Sequence, residues 1–230
     1  MFFGIVMATL FYNGVILFNN PSNIEFPVRG VDVSSYQGTI DWDVLASQNI
    51  QFAFIKATEG SSYIDRNFME NYTNVIRTDL RIGAYHFFSY DSSGKTQAEN
   101  FIAVVQKSND MLPPVVDVEF YGDKDEKLPD KAATQAELSI LLIELENHYG
   151  KKPIIYAVKK SYDLYIAGKY MDYDIWIRNV IKHPTLSDGR DWTFWQYANR
   201  EVLVGYSGPE KHIDMNVYNG TQKDFEAYAK

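Results

Sequence analysis

The chain has 230 residues, of which 46% are hydrophobic and 15% aromatic, and its formal net charge is −8. It contains no cysteine, which excludes disulfides, thiolate metal sites and a cysteine nucleophile. The acidic balance and the lack of a cluster of lysines and arginines argue against nucleic acid as a partner, because nucleic-acid-binding domains carry a basic surface.

Residues 2–18 are apolar and uncharged, and the first charged side chain is Glu25. Such a run is close to the shortest length that spans a membrane, and it is also similar to the apolar part of a secretory signal. No basic residue precedes it and no small-x-small cleavage site follows it, so we expect an uncleaved membrane anchor rather than a cleaved signal. An N-terminal core helix is the alternative. We place this segment and a linker at residues 1–27 and a folded domain at residues 28–230.

Strand and helix patterns alternate from Val28 onwards. Short runs rich in β-branched and aromatic residues predict strands at residues 28–33, 51–57, 81–88, 112–120 and 154–158. Helices are predicted between them at residues 41–48 and 65–78. Two more are predicted from Thr96 and Thr134, each of which is followed three residues later by a glutamate, as in a capping box.

The pattern changes after residue 158. Strands predicted at residues 174–178, 193–197, 202–204 and 213–217 are separated mainly by turns, with helices predicted at 161–167 and 222–229. Repeated strand–helix units imply parallel strands joined by right-handed crossovers. A regular eightfold barrel usually needs about 250 residues, and only about 200 are available here, so an abbreviated closure fits the length. The sequence therefore predicts an α/β fold, an irregular β/α barrel of about five βα units followed by strands that lack helices.

The strand at residues 112–120 ends in two acids, Asp117 and Glu119. Side chains alternate along a strand, so both carboxyls point the same way, with Cα atoms about 6.6 Å apart. Burying them without partners would cost several kcal/mol each. The pair therefore predicts acid–base chemistry or a metal site, with a solvated strand end as the alternative.

Functional groups of a parallel barrel lie at the carboxyl ends of its strands. Near the other predicted strand ends the sequence has Asp32, Tyr36, Tyr85, Tyr156, Trp195, Gln196 and Asp214. We interpret Lys56 and Glu59 as a structural ion pair and His86 as a buried, satisfied histidine. The histidines have no shared ligand spacing, and a carboxylate-only Mg²⁺ or Ca²⁺ site would leave the aromatic residues unexplained. We therefore predict neither a metal nor a cofactor.

Acids and aromatics together suggest a sugar polymer as the ligand. Sugar rings stack on aromatic side chains, and glycoside hydrolysis commonly uses two carboxyl groups. One of these groups must stay protonated near neutral pH, which burial beside a second acid favours.

An ordered set of short motifs runs from about Val28 to the C-terminus. They are GVDVS at residues 30–34, YQG at 36–38, IDW at 40–42, FIKATEG at 54–60, GAYHF at 83–87, VDVE at 116–119, IY at 155–156, DIWI at 174–177, WQY at 195–197 and IDMN at 213–216. In this order the chain resembles the glycoside hydrolase family 25 lysozymes, muramidases of the Chalaropsis type.

The resemblance implies a catalytic barrel that cleaves the β-1,4 bond between N-acetylmuramic acid and N-acetylglucosamine in the glycan chain of peptidoglycan. It implies Glu119 as general acid and Asp117 as the residue that orients the muramyl acetamido group for attack on the anomeric carbon. The residues implied to bind substrate are Asp32, Asp214, Tyr36, Tyr85, Tyr156, Trp195 and Gln196. Arg178 departs from the resemblance, since a smaller residue is expected there.

The remaining expectations follow from this reading. We expect a monomer that acts outside the cytoplasm, either secreted or tethered to the membrane by its N-terminal segment. The alternatives are a non-catalytic glycan-binding barrel and a hydrolase of chitin-like chains.

Overall fold

The structure is a computed structural model that describes residues 19–229. The anchor or signal predicted at residues 2–18 lies outside these residues. Between residues 19 and 229, no helix combines the length and the apolar character that crossing a membrane requires.

Within the described part of the chain, nine strands form one sheet, which closes into a barrel because β1 pairs with both β9 and β2. They are β1 (Arg29–Val33), β2 (Phe52–Glu59), β3 (Tyr63–Ile64), β4 (Arg81–Phe87), β5 (Val115–Val118), β6 (Ile154–Val158), β7 (Ile175–Arg178), β8 (Phe194–Glu201) and β9 (Ile213–Tyr218). The short β3 pairs only with β2, so eight strands make the barrel. Strands β1, β2 and β4–β8 are parallel to their neighbours, and β9 runs antiparallel between β8 and β1.

The helices are α1 (Trp42–Ala46), α2 (Phe68–Val75), α3 (Gly94–Val104), α4 (Lys131–Tyr149), α5 (Lys159–Ser161) and α6 (Gln222–Ala227). The chain continues after α5 in a π-helical turn at Tyr162–Ile166. The strands from β7 onwards have no helix between them. The predicted irregular β/α barrel is therefore confirmed.

Two helix starts were predicted wrongly. Helix α3 is capped by Ser93, whose hydroxyl accepts the Thr96 backbone N–H at 3.2 Å, and α4 is capped by Asp130. Glu137 does not close a capping box, because its carboxylate accepts the Gly94 backbone N–H at 2.6 Å and so joins α4 to α3. Serine and aspartate are also good N-caps, so local sequence offered two starts for each helix.

The strand predicted at residues 202–204 is absent, because β8 ends at Glu201. Gln48 takes the place of a neighbouring strand there. Its side chain accepts the Val204 backbone N–H at 3.0 Å and donates to the Val204 carbonyl at 2.8 Å. Val202 and Val204 are more than half exposed. Their β-branched side chains, on which the prediction rested, therefore do not indicate a buried strand.

Alternation along the strands divides the core into two layers. An outer layer packs between the barrel wall and the helices, and an inner layer fills the lower barrel with aromatic rings such as Phe52, Phe54 and Phe194. Gly30 and Gly83 make room for this filling, because a Cβ at either position would overlap the ring of Phe52 or Phe54. We call this inner aromatic layer the apolar plug. Because it fills the lower barrel, only the carboxyl end of the barrel is open to polar side chains.

The N-terminal boundary of the fold lies slightly before residue 28. Phe26 is buried against Trp192 and Trp195 on the outside of the barrel. The side-chain amide of Asn19 donates to the carbonyl of Asn179 at 2.9 Å. The predicted linker therefore lies against the domain for at least part of its length.

Candidate active site

A cleft of about 450 Å³ opens at the carboxyl end of the barrel. The structure brings together all the predicted site residues except Trp195. Those that line the cleft are Asp32, Tyr36, Tyr85, Asp117, Glu119, Tyr156, Gln196 and Asp214. Five carboxyls face it once Glu210 is included.

Trp195 lies on the other side of the barrel wall, contrary to the prediction that it lines the site. Its ring packs against Phe26 and Trp192, and its indole N–H donates to the carbonyl of Asn179 at 2.9 Å. The reason is strand alternation. Gln196 points into the barrel, so its neighbour Trp195 points out.

Trp176, which was not among the predicted site residues, is the tryptophan that lines the cleft. It stacks on Phe54 with ring centroids 4.5 Å apart and meets the edge of Tyr156 at the same separation. Its indole N–H donates to the side-chain carbonyl of Asn216 at 2.8 Å. Trp176 thus forms the floor between the apolar plug and the polar cleft.

A hydrogen-bonded network spans the barrel above this floor. One carboxylate oxygen of Asp32 accepts from the amides of Gln196 at 2.9 Å and Asn216 at 2.8 Å. The carbonyl oxygen of Gln196 accepts the Tyr156 hydroxyl at 2.9 Å, and that of Asn216 accepts the Trp176 indole N–H. Each amide is therefore held at both ends, with its N–H directed at Asp32.

Asp214 lies directly opposite Asp32 in the antiparallel register of β1 and β9. Burial raises the pKa of both carboxyls, and the charge of Asp32 raises the pKa of Asp214 further. Hydrogen bonds from Asn216, Gln196 and Asp214 limit the rise in the pKa of Asp32. We therefore assign the proton to Asp214, which donates it to the Asp32 carboxylate.

Asp117 and Glu119 form a second carboxyl pair at the end of β5. Asp117 is only 6% exposed, and its Oδ1 has no hydrogen-bond partner among the described residues. Burial and the charge of Glu119 raise the pKa of Asp117 well above its ordinary range. Burial also raises the pKa of Glu119, although the positive charge of Arg178 opposes the rise. The pair therefore keeps a proton to a higher pH than ordinary carboxyls do.

Three basic side chains also line the cleft. Lys56 forms the predicted ion pair with Glu59 at 2.8 Å, and the His212 ring lies 3.2 Å from the Glu210 carboxylate. The third is Arg178, at the end of β7.

His86 lies outside the cleft and is buried, as predicted. Its ring nitrogens lie 2.7 Å from the Thr58 hydroxyl and 3.0 Å from the side-chain carbonyl of Gln97, and burial lowers its pKa to about 4. Within residues 19–229, no cluster of three or more histidine and carboxylate side chains has an arrangement that could hold a metal ion.

Comparisons with known proteins identify the family to which the chain is similar. The family model described as "Glycosyl hydrolases family 25" matches residues 31–206. The chain is 36% identical over 209 residues to "Uncharacterized protein YegX" of Escherichia coli strain K12, covering 89% of this chain and 74% of the relative. It is 32% identical over 205 residues to "Lysozyme M1" of Streptomyces globisporus, covering 84% and 68%.

Solved structures show the same similarity in three dimensions. A family 25 glycosyl hydrolase from Bacillus anthracis superposes with a TM-score of 0.89 at 52% identity, covering 94% of this chain and 98% of that chain. A bacterial lysozyme from Streptomyces coelicolor superposes with a TM-score of 0.78 at 30% identity, covering 88% and 96%.

Proposed function

The chain belongs to the glycosyl hydrolases of family 25, and we propose that it acts outside the cytoplasm as a peptidoglycan muramidase with Glu119 as its general acid. The bond cleaved is the β-1,4 linkage between N-acetylmuramic acid and N-acetylglucosamine. Relatives named lysozyme and N,O-diacetylmuramidase support the reaction. The roles of individual residues are those that the family resemblance implies, and the geometry of the cleft supports them.

The observation that carries the proposal is the unpartnered oxygen of Asp117. A buried acceptor without a donor is costly unless a ligand supplies one. The acetamido group of a muramyl residue carries an N–H of the required kind. We infer that Asp117 accepts this N–H and so turns the acetamido oxygen toward the anomeric carbon.

Binding of that N–H also decides where the shared proton goes. A hydrogen bond to the charged form of a carboxyl lowers its pKa. When Asp117 receives the acetamido N–H, its carboxylate is stabilised and the proton of the pair passes to Glu119. Glu119 is half-buried at the end of the strand, nearer the opening than Asp117, which suits it to reach the glycosidic oxygen.

The reaction then follows two steps. Glu119 donates its proton to the leaving oxygen while the acetamido oxygen attacks the anomeric carbon and breaks the glycosidic bond. Glu119, now ionised, accepts a proton from water, which opens the cyclic intermediate and gives net retention. Such substrate assistance is a known exception to the use of two enzyme carboxyls.

Other cleft residues would position the sugar. The Trp176 floor and the half-buried ring of Tyr85 offer apolar surface to its C–H faces. The network of Asp32, Gln196 and Asn216 makes a rigid polar wall. Tyr36, which is 66% exposed, lies at the rim, where a neighbouring sugar would pass.

The test is release of reducing ends from purified cell walls. General acid catalysis contributes about 10²- to 10⁴-fold, so Glu119→Gln should lower kcat by at least about a hundredfold. The control is Glu226→Gln, the same substitution in α6 on a face away from the cleft, which should retain normal turnover. Equal turnover by wild type and Glu119→Gln would refute the role of Glu119.

Product analysis separates the remaining alternatives. NMR of the anomeric carbon should show retention, and inversion would rule out participation of the acetamido group. Wall binding without turnover by wild type would indicate a non-catalytic barrel. Equal turnover of chitin oligomers and peptidoglycan would indicate a hydrolase of broader substrate range.

A further inference from the structure

Arg178 differs from Lys56 and His212, the other two basic side chains of the cleft, in having no ion-pair partner among the described residues. Lys56 and His212 each have a carboxylate within 3.2 Å. Among residues 19–229, no carboxylate oxygen lies within 4.0 Å of the Arg178 guanidinium, and no side-chain or backbone acceptor takes a hydrogen bond from it. A guanidinium has five N–H donors in a fixed plane, and the described residues supply no acceptor for those of Arg178.

The position of Arg178 directs it into the cleft. It is the last residue of β7 and lies two residues after Trp176, so both side chains point into the barrel. Trp176 is at the floor, and Arg178 lies about two strand steps, roughly 6.6 Å, nearer the opening. Its neighbours in register are Val158 on β6 and Gln196 on β8. The side chain is half-buried, so solvent only partly satisfies it.

The carboxyls around Arg178 are committed to other interactions. The charges that act on it are those of Asp32, Glu119 and Asp214. Asp32 already accepts from two amides and from Asp214, which keeps its proton, and Glu119 is the proposed acid. If Arg178 served only to neutralise the acidic cleft, its guanidinium would form an ion pair with one of these carboxyls. Instead it is left available to a ligand.

We propose that Arg178 binds a carboxylate of the substrate and makes the enzyme select glycan that carries one. This inference rests on the muramidase activity proposed above. A muramyl residue bears a lactyl ether whose carboxyl is free when the stem peptide has been removed and is an amide when the peptide is present. The peptide has carboxylates of its own. Arginine binds either kind through two parallel hydrogen bonds, a geometry that lysine does not reproduce.

The test compares three substrates of equal chain length. The first is glycan stripped of peptide, with free lactyl carboxylates. The second is the same glycan with those carboxylates converted to neutral methylamides, and the third is glycan with its stem peptides. For each we measure kcat and KM over a pH series, and we compare the pH-independent limits so that any change in the ionisation of Glu119 does not enter.

Wild type should cleave at least one carboxylate-bearing glycan with a kcat/KM about tenfold or more above that of the neutral methylamide, as expected of a charge-assisted bidentate contact. Arg178→Gln should bring this ratio close to one, mainly through KM. Arg178→Lys should give an intermediate ratio. The matched control is Lys56→Gln, which removes a cleft cation that already has a partner and should keep the wild-type ratio.

The outcomes separate this inference from the proposed function. Turnover of all three glycans by wild type with a ratio near one, or a ratio that Arg178→Gln leaves intact, would overturn the role of Arg178 and leave the muramidase assignment standing. No turnover of any glycan by wild type would overturn the muramidase assignment itself. A preference for the stripped glycan identifies the lactyl carboxylate, and a preference for the peptide-bearing glycan identifies a peptide carboxylate.

Discussion

Replacing Tyr156 by phenylalanine tests whether the network across the barrel is held together as the structure shows. The Tyr156 hydroxyl donates at 2.9 Å to the carbonyl oxygen of Gln196, whose amide donates at 2.9 Å to Asp32. Tyr156 and Gln196 are both nearly fully buried. The variant removes one oxygen atom, leaves the ring in place and deprives the Gln196 carbonyl of its donor.

The magnitude follows from what is left unpaired. A buried polar group that loses its partner costs about 1–3 kcal/mol. For a chain of this size, 1 kcal/mol lowers Tm by about 2–4 °C. Tyr156→Phe should therefore lower the free energy of unfolding by about 1–3 kcal/mol. It should also lower kcat, because the Gln196 amide is free to rotate away from Asp32.

Tyr90 provides a matched control for this prediction. Its hydroxyl is buried but has no hydrogen-bond partner among the described residues, while its ring stacks on Phe120. Tyr90→Phe removes the same atom from a site where it is unpaired, so stability should stay equal or rise. Urea unfolding at neutral pH measures both variants. Equal losses of stability in the two variants would refute the argument. The loss would then come from deleting a buried hydroxyl and not from losing the hydrogen bond that this hydroxyl donates.

Three further predictions concern pH. Asp214 has a pKa well above the ordinary carboxyl value, so native protein holds a proton that the unfolded chain releases above about pH 4, and stability falls as pH rises. Asp214→Asn should therefore become more stable relative to wild type with rising pH. His86 has its pKa lowered to about 4 from an ordinary 6.5, so stability should fall as pH drops through this window, by up to about 1.4 kcal/mol per unit, and His86→Asn should lose that slope. Removing the positive charge in Arg178→Gln should raise the pKa of Glu119 and move the alkaline limb of kcat/KM to higher pH.

Each of these predictions has its own control. For Asp214 and His86 the quantity measured is the difference between variant and wild type in urea unfolding across pH 4–8, because other groups titrate in the same range. A difference that does not change with pH would contradict the corresponding prediction. For Arg178 the control is Glu226→Gln in α6, away from the cleft, which should leave the alkaline limb where it is in wild type. An alkaline limb that Arg178→Gln also leaves in place would show that the guanidinium does not act on Glu119.

The barrel could be predicted because its signals are local. Each parallel strand is a short apolar run, and the length of the chain favoured an abbreviated barrel over a regular eightfold one. Helix starts were less predictable. Ser93 and Thr96 are both acceptable caps, and the choice depends on how α3 packs against α4 through Gly94 and Glu137, a contact between residues 43 positions apart.

Only those site residues that lie near the predicted ends of strands could be assigned from the sequence. Alternation alone would have placed Trp195 outside, since Gln196 was already assigned to the cleft. The same rule places Asn216 inside the barrel, because it lies two residues after Asp214. It also places Trp176 inside, two residues before Arg178. The hydrogen bonds from Gln196 and Asn216 to Asp32 span 164 and 184 residues of sequence. They depend on the register of β9 between β8 and β1, which no local pattern specifies.

The structure also explains why two carboxyl pairs lie in one cleft. The proton on Asp214 is held against Asp32, whose position is fixed by two amides, so this pair has no proton to spare for a leaving group. Among residues 19–229, no such amide donors reach the pair at Asp117 and Glu119, and Asp117 Oδ1 has no hydrogen-bond partner. We infer that its proton stays mobile until a substrate N–H reaches Asp117. The first pair thus sets the charge and shape of the wall, and we infer that the second pair performs the proton transfer.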